Sequence, residues 1–252
     1  MWKALEYTVR RVAAYPIRLG AKSLFLLTAV ISAPPIGAEQ IHIGLGHHDQ
    51  IMNIERTSDG NILVSSSQRA VKVWDLRTNR ELRSFHPGGS FAVSNNDRLV
   101  AIGGEDGTIR VRDLVSGAVL QTMSGHNWPV RDIQFSPDDE NLVSASYDGS
   151  VRVWDVHSGR EKESFRAHGR ENWAEASTVD YSIDGSLIVS GSGNGIVKLY
   201  DASIGRLVDM WNIADTRINS VSFTPDQTKL VVITRNGIAR LWSISSGSLI
   251  GS

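Results

Sequence analysis

One short pattern occurs five times along the chain at a spacing of about 40 residues, and this repetition limits the folds available to it. The clearest copy is LVSASYDGSVRVWDV, Leu142–Val156, and related segments begin at Leu63, Leu99, Leu187 and Leu230. The residues at the tryptophan position are Trp74, Arg112, Trp154, Tyr200 and Trp242, with gaps of 38, 42, 46 and 42 residues. A repeat of this length with strand-like alternation predicts a radial or stacked array of small β units.

Each unit is predicted to contain four antiparallel strands. In the third unit these are Val130–Phe135, Leu142–Ser146, Val151–Val156 and Arg160–Phe165, of which the last is the most polar. Asp148-Gly149 predicts a tight hairpin between the second and third strands, because glycine accepts the positive φ that such turns require. The fourth strand is therefore expected to be the most exposed to water.

The register inside each unit is nearly constant. The turn residue after the first strand precedes the tryptophan position by 18 residues in four units and by 17 in the first unit. The pairs are Thr57 and Trp74, Ser94 and Arg112, Ser136 and Trp154, Ser182 and Tyr200, and Thr224 and Trp242. This spacing indicates that the five units share one internal geometry.

The repeats contain four short motifs that resemble those of the WD-repeat β-propeller family. These motifs are Gly-His, a Ser-Pro-Asp-Gly-like turn, Asp-Gly and Trp-Asp. The resemblance covers residues 39–252. It implies an all-β propeller of four-stranded antiparallel blades, with five recognisable repeats. Two alternatives remain open, a closed five-bladed ring and a fragment of a larger propeller. An open blade edge could also be covered by self-association with a second copy of the chain.

The resemblance implies a hydrogen-bonded structural tetrad in a well-formed blade. In the third unit its members are His126, Ser144, Asp148 and Trp154, with Ser146 as the alternative serine. A buried indole N–H needs an acceptor, so we interpret these residues as holding a blade together rather than as a catalytic group.

The other units depart from the tetrad pattern. The first has no Asp in its shortened turn, the second has Arg112 in place of Trp, and the fifth has no His. The fourth offers His168 and Tyr200, with Asn194 in its turn. Only the third blade is therefore expected to be fully bonded, and the second is expected to be among the weaker ones.

Two segments compete for the fourth strand of the last blade. Residues 39–46, EQIHIGLG, lead into His47 as a fourth strand would, and residues 247–252 also begin such a strand. The sequence does not decide between them.

Residues 1–38 have the anatomy of a secretory signal peptide. Residues 1–22 are basic, residues 23–33 (SLFLLTAVISA) are apolar, and Ala38 is a small residue at which cleavage is predicted. The apolar run is shorter than the roughly 20 residues of a membrane-spanning helix, so no membrane association is expected after cleavage. The protein is predicted to be exported, periplasmic or secreted, with a mitochondrial transit peptide as the alternative.

Composition excludes several kinds of chemistry. The absence of cysteine excludes disulfides, thiolate metal sites and cysteine nucleophiles. The net charge of −1 provides no basic field for nucleic acid. His47-His48-Asp49 does not predict a metal site, because adjacent side chains rarely converge on one ion. No catalytic residue, cofactor or metal is predicted.

The resemblance implies that the loop before each first strand and the turn between the second and third strands share one face, often used for partner binding. On that face the sequence places residues of the types that dominate binding hot spots. They are Trp128, Arg131, Tyr147, Arg170, Trp173, Arg217 and Arg235. For Trp128 and Trp173 the alternative is packing against neighbouring blades.

These features predict a non-catalytic interaction scaffold that docks a protein or peptide on its loop face. One alternative is the regulatory or sensor propeller of an enzyme whose catalytic domain lies outside this chain. The other is a propeller that binds a small molecule or metal in its central channel.

Overall fold

The structure, a computed structural model, describes residues 18–19, 46–47, 49–168, 175–213 and 216–251. The regular secondary structure within these residues consists of β-strands, which form five sheets. Each sheet contains four consecutive antiparallel strands, which confirms the predicted all-β fold. No helix long and apolar enough to cross a membrane occurs in this part of the chain.

The sheets, here called blades 1 to 5, follow one another along the chain. Blade 1 comprises β1 (Arg18–Leu19), β2 (Ile51–Arg56), β3 (Ile62–Ser67), β4 (Val71–Asp75) and β5 (Arg80–Phe85). Blade 2 comprises β6 (Ser90–Val93), β7 (Leu99–Gly103), β8 (Thr108–Asp113) and β9 (Val119–Ser124). Blade 3 comprises β10 (Val130–Phe135), β11 (Asn141–Ser146), β12 (Ser150–Asp155) and β13 (Glu161–Arg166). Blade 4 comprises β14 (Ala176–Tyr181), β15 (Leu187–Ser192), β16 (Ile196–Asp201) and β17 (Leu207–Asn212). Blade 5 comprises β18 (Ile218–Phe223), β19 (Lys229–Thr234), β20 (Ala239–Ser243) and β21 (Ser248–Gly251). Strand β1 lies parallel to β2 and adds a fifth strand to blade 1.

A hydroxyl side chain fixes the turn after the first strand of every blade. In blade 3, Ser136 Oγ donates to the Asp138 carboxylate and accepts the backbone N–H of Asn141 at 2.9 Å. The same pair of bonds, to the side chain two residues later and from the N–H five residues later, occurs at the equivalent residues. These are Thr57, Ser94, Ser182 and Thr224. The constant turn explains the constant register in the sequence.

The strands of blade 3 lie within one residue of their predicted bounds. The third strand is β12, Ser150–Asp155, rather than Val151–Val156. Val156 leaves the strand because its N–H donates to the carbonyl of Glu140 at 2.9 Å, while its side chain stays buried. The fourth strands are the most exposed of each blade, as predicted.

The core lies between neighbouring blades, in apolar layers. Between blades 3 and 4, one side of the layer comes from the second and third strands of blade 3, including Val143 and Val153. The other side comes from blade 4, including Val179, Ile188 and Tyr200. Equivalent layers join blades 1 and 2, blades 2 and 3, and blades 4 and 5. Each blade therefore buries its apolar side chains by packing on neighbouring blades.

Buried carboxylates on the first strands also connect the blades. Asp132 in β10 accepts the backbone N–H of Val179 in β14 at 2.7 Å. Asp180 in β14 accepts that of Phe223 in β18 at 3.1 Å. Glu55 in β2 does the same with Val93 in β6, also at 3.1 Å. Because an unpaired charge is costly inside a protein, these bonds give the buried acids a structural role.

The blades form an open array. The first strands pack in the order β2, β6, β10, β14 and β18, and within the described residues blade 5 does not close onto blade 1. Val143 of blade 3 is completely buried beneath blade 4, whereas Val231, at the same position of blade 5, is partly exposed. In the described part of the chain, the terminal face of blade 5 therefore lacks the cover that the other blades have.

Strand β21 occupies the fourth-strand place of blade 5. The prediction that residues 247–252 begin such a strand is therefore confirmed for Ser248–Gly251. Residues 39–45 of the competing segment lie outside the described residues.

Three of the five outer strands carry exposed apolar side chains, which the sequence analysis did not anticipate. They lie in β9, β17 and β21 and include Val119, Leu120, Leu207, Val208, Met210, Leu249 and Ile250. The corresponding strands of blades 1 and 3 are rich in charged residues. The fourth strands are therefore all exposed to water, but only those of blades 1 and 3 are mainly polar.

The difference between the covered and uncovered blade faces can be measured with matched substitutions. Val143→Ala is expected to lower the free energy of unfolding by about 2 kcal/mol, because it removes fully buried carbon atoms and leaves a cavity. Val231→Ala is expected to cost less than about 1 kcal/mol, because its side chain is already partly solvated. Urea titration followed by tryptophan fluorescence provides the two values. Equal losses would contradict the open array, because Val231 would then be covered in solution.

Candidate functional site

The four residues of the implied tetrad lie together in blade 3. Trp154 Nε1–H donates to Ser144 Oγ at 2.8 Å, and the same hydroxyl lies 2.7 Å from His126 Nε2. His126 Nδ1 lies 3.1 Å from the Asp148 carboxylate. The alternative serine, Ser146, bonds elsewhere: its hydroxyl donates to the carbonyl of Trp128 at 2.9 Å. The chain of bonds runs from the third strand, through the second, to the loop before the first.

The Asp148 carboxylate is the acceptor on which this network ends. Burial alone would raise its pKa, but hydrogen bonds with His126 and from Ser150 and the backbone of Asn127 together lower the pKa well below its usual range. Ser144 is completely buried, as are the side chains around it. A serine, a histidine and an aspartate in this order can exchange protons chemically, but here water and substrate have no access to the hydroxyl. The arrangement stabilises the blade instead.

Blade 1 repeats three of the four members. Trp74 Nε1–H donates to Ser65 Oγ at 2.8 Å, and His47 Nε2 lies 2.7 Å from that hydroxyl. The Nδ1 atom of His47 is buried without a hydrogen-bond partner among the described residues, because this blade has no equivalent of Asp148. The preceding Gly46 leaves room for the indole: a Cβ there would lie 2.0 Å from a ring carbon of Trp74.

Blade 4 keeps only the histidine and the serine. His168 Nε2 lies 3.0 Å from Ser190 Oγ, and the Tyr200 hydroxyl donates to the carbonyl of Ala167 at 3.4 Å. Burial, assisted by the positive charge of Lys198, lowers the pKa of His168 from 6.5 to about 3. The imidazole of His168 is therefore neutral at physiological pH.

Blades 2 and 5 lack the network. Arg112 replaces the tryptophan of blade 2, and its guanidinium lies over the Phe85 ring and donates to the carbonyl of Gly117. The second strand of blade 2 contains no serine, and His86 instead bonds to the Arg69 carbonyl at 2.8 Å and to the Ser84 hydroxyl at 3.2 Å. In blade 5, the indole N–H of Trp242 is buried without a partner among the described residues.

Three of the residues predicted to bind a partner lie together on the loop face. The Arg131 guanidinium carbon lies 4.5 Å from the centre of the Tyr147 ring, and that of Arg217 lies 5.8 Å from it. Arg131 and Tyr147 belong to blade 3, whereas Arg217 belongs to the start of blade 5. We call these three residues the Arg–Tyr–Arg cluster. The cluster connects the turn between the second and third strands of blade 3 with the loop before blade 5, although these two blades are not neighbours in the array.

Trp128 belongs to the loop before β10, and the backbone of this loop adjoins the turn that contains Tyr147. Trp128 is 57% exposed. The loop itself is held in place, because Ser146 donates to the Trp128 carbonyl and the N–H of Tyr147 donates to that of Pro129 at 3.1 Å. The structure therefore favours exposure of Trp128 over packing against a neighbouring blade.

Arg235 is also exposed on this face, and its backbone N–H donates to the carbonyl of Arg217 at 2.8 Å. Arg170 and Trp173, in the loop before the first strand of blade 4, lie outside the described residues.

The sequence analysis missed one charged member of the face and the buried acids of the first strands. Glu175 Oε1 lies 3.5 Å from Arg217 Nη1. Glu175 precedes β14 without any motif, so no sequence signal pointed to it. Among the described residues, no group of three or more His, Asp or Glu side chains is placed to hold a metal ion. His48 lies outside those residues.

The bonded tetrad and the blade array define a class of protein that comparison with known families identifies. The family model described as WD domain, G-beta repeat, matches residues 38–75, 82–113, 117–155 and 159–201. These matches cover more than half of the chain, which therefore belongs to the WD-repeat family. Each of the last three matches begins within or just before the fourth strand of one blade and extends through the third strand of the next.

Curated relatives are similar over most of the chain. The guanine nucleotide-binding protein subunit beta of Oryza sativa subsp. japonica is 23% identical over 79% of this chain and 58% of its own length. Autophagy-related protein 16 of Arabidopsis thaliana is 24% identical over 87% of this chain and 43% of its length. Apoptotic protease-activating factor 1 of Rattus norvegicus is 28% identical over 81% of this chain and 17% of its length. The chain thus spans 17 to 58% of these three relatives.

The neutral His168 is expected to make stability dependent on pH. Its folded-state pKa is below 6.5, so the unfolded chain binds more protons below that pH and the folded state is destabilised as pH falls. Between pH 7 and pH 5 we expect a contribution of about 2 kcal/mol. In His168→Gln this loss should disappear, leaving a smaller slope from His47, whose pKa is also lowered by burial.

Urea titrations at pH 7, 6 and 5 measure this effect. His157→Gln is the matched control, because His157 is exposed in the turn before β13. A pH slope that is identical in wild type and His168→Gln would show that His168 is not held neutral in the folded state.

Proposed function

We propose that this WD-repeat chain is a non-catalytic interaction scaffold that docks a protein or peptide on its loop face. The observation that carries the proposal is the rigid placement of exposed Trp128 beside the Arg–Tyr–Arg cluster. Aromatic and arginine side chains at such positions dominate the energetics of protein interfaces. Loops on a rigid scaffold lose little conformational entropy when a partner binds.

Two further observations support a scaffold over an enzyme. The histidine–aspartate–serine contacts of blade 3 are buried and bond within the blade. The acids of the first strands, Asp132, Asp180 and Glu55, bond to backbone N–H groups of the next blade. In addition, one of the similar proteins is by its name a subunit of a larger protein, the guanine nucleotide-binding protein.

The docking proposal predicts that loss of the exposed aromatic ring weakens partner capture. Trp128→Ala is expected to reduce the yield of wild-type partners in a pull-down from the source cells by tenfold or more, on the order of 1.4 kcal/mol, since a central hot-spot residue contributes at least that much. Ile183→Ala is the matched control, because Ile183 is an apolar residue at least as exposed as Trp128, in the turn between the first and second strands of blade 4.

Quantitative mass spectrometry of the captured proteins gives the comparison, with circular dichroism showing that each variant is folded. If Trp128, Tyr147 and Trp173 can all be replaced by Ala in folded protein without weakening any partner, the docking proposal is wrong.

The scaffold is further proposed to be exported, to a periplasmic or extracellular location. The support is the order of basic, apolar and small residues in positions 1–38. Cleavage after Ala38 would remove Arg18–Leu19, the additional edge strand β1, and leave the four antiparallel strands of blade 1.

Export predicts a mature protein that begins at Glu39. Expression of the full-length chain in the source organism, followed by cell fractionation and N-terminal sequencing, tests this. Recovery of the uncut chain from the cytoplasm would contradict export, and a new N-terminus in a mitochondrial fraction would favour the alternative transit peptide.

A further inference from the structure

The Arg–Tyr–Arg cluster holds more positive charge than the described residues around it neutralise. Arg131 and Arg217 both lie over one ring, that of Tyr147. The two guanidinium groups repel each other, while each is attracted to the face of the ring. A nearby anion would offset this repulsion directly.

One of the two arginines has a carboxylate partner. Arg217 Nη1 lies 3.5 Å from Glu175 Oε1, and the Glu175 side chain is almost buried. This contact offsets the charge of Arg217 and fixes its guanidinium near the Tyr147 ring. The two guanidinium groups of the cluster and the carboxylate of Glu175 together carry a net charge of +1.

The other arginine has no such partner. Within the described residues Arg131 forms no ion pair, and its Nε–H is buried without a hydrogen-bond acceptor. The acids that follow Arg131 and Tyr147 in the sequence, Asp132 and Asp148, are engaged elsewhere. The Asp132 carboxylate accepts the N–H of Val179, and that of Asp148 bonds to His126 and Ser150. Among the described residues, Arg131 is therefore the member of the cluster that lacks an anion.

We propose that the Arg–Tyr–Arg cluster is a subsite for a carboxylate, an Asp or Glu side chain of the docked partner. The guanidinium group of Arg131 can bind a carboxylate with two parallel hydrogen bonds. The single negative charge of that carboxylate would neutralise the net charge of +1 at this site. This inference rests on the proposed function, because it specifies what the same loop face recognises.

The surface at Trp128 indicates which type of partner residue would lie next to the bound Asp or Glu. Trp128 is three residues before Arg131 in the chain and presents an exposed ring on the same face. An apolar partner side chain can pack on this ring while the adjacent carboxylate binds Arg131. The ligand class is thus a peptide segment with an acidic residue next to an apolar one. A net charge of +1 matches a carboxylate better than a dianionic phosphate or a nucleic-acid backbone.

The first experiment uses the whole chain and a phage-displayed library of random 12-residue peptides. Enriched peptides are expected to contain Asp or Glu beside an apolar residue. The best peptide is then synthesised in three forms, with its acid, with the matching amide, and with phosphoserine in place of the acid. Fluorescence anisotropy measures the affinity of each form at low and at moderate NaCl concentration.

Substitutions assign the carboxylate to Arg131. Arg131→Gln removes the charge and should weaken the acidic peptide by about tenfold, the loss expected for one charged hydrogen-bonded contact. The amide peptide should bind both proteins equally weakly. Arg160→Gln, an exposed residue in the turn before β13, makes the same charge change on the opposite face and should leave binding unchanged.

The outcomes separate this inference from the docking proposal. Peptides that require Trp128 but bind equally as acid and amide, or equally to Arg131→Gln, would overturn the carboxylate subsite and leave docking intact. Binding of the phosphoserine form alone, or of a 20-nucleotide DNA in place of peptides, would overturn the choice of carboxylate. If no peptide is enriched and Trp128→Ala captures every wild-type partner, docking itself fails, and the subsite fails with it.

Discussion

The packing of one sheet on the next is the interaction on which the rest of this structure depends. A single four-stranded sheet has no second layer of its own, so each blade buries its apolar faces only against neighbouring blades. Val143 illustrates the requirement, because it is completely buried by blade 4, while Val231 is partly exposed at the end of the array. The repetition in the sequence is the consequence, since every unit must present two faces that fit the same kind of neighbour.

Polar groups inside such an interface need partners, and the chain supplies them by two means. Within a blade, a serine such as Ser144 links an indole to a histidine. Between blades, acids such as Asp132 accept a backbone N–H of the next first strand. Both arrangements use residues that resemble catalytic groups in isolation and bury them where substrate has no access. Exposed chemistry is left to the loops, where the rigid blades hold Trp128 beside Arg131 and Tyr147.

Periodicity and turn chemistry are local properties, and they explain why so much of the fold could be predicted from the sequence. The hydroxyl turn at Ser136 fixes the register, and the strand bounds of blade 3 were predicted to within one residue. Contacts between distant segments carry no such signal. The approach of Arg217 to Tyr147 depends on how blades 3 and 5 sit around blade 4, and Glu175 belongs to no motif. The arginines were predicted as separate surface residues, and only the structure brings them to one ring.

Amide hydrogen exchange of the full chain, free and with a bound partner or selected peptide, tests most directly whether the array acts through its loop face. The account predicts added protection at residues 126–131, 146–149 and 216–218, with little change in the turns at the opposite ends of the blades. Protection confined to the exposed apolar strands β9 and β17, or to the turns around Ser58 and Asn95, would contradict it. Such a result would place the interaction on the outer edges or on the opposite face of the array.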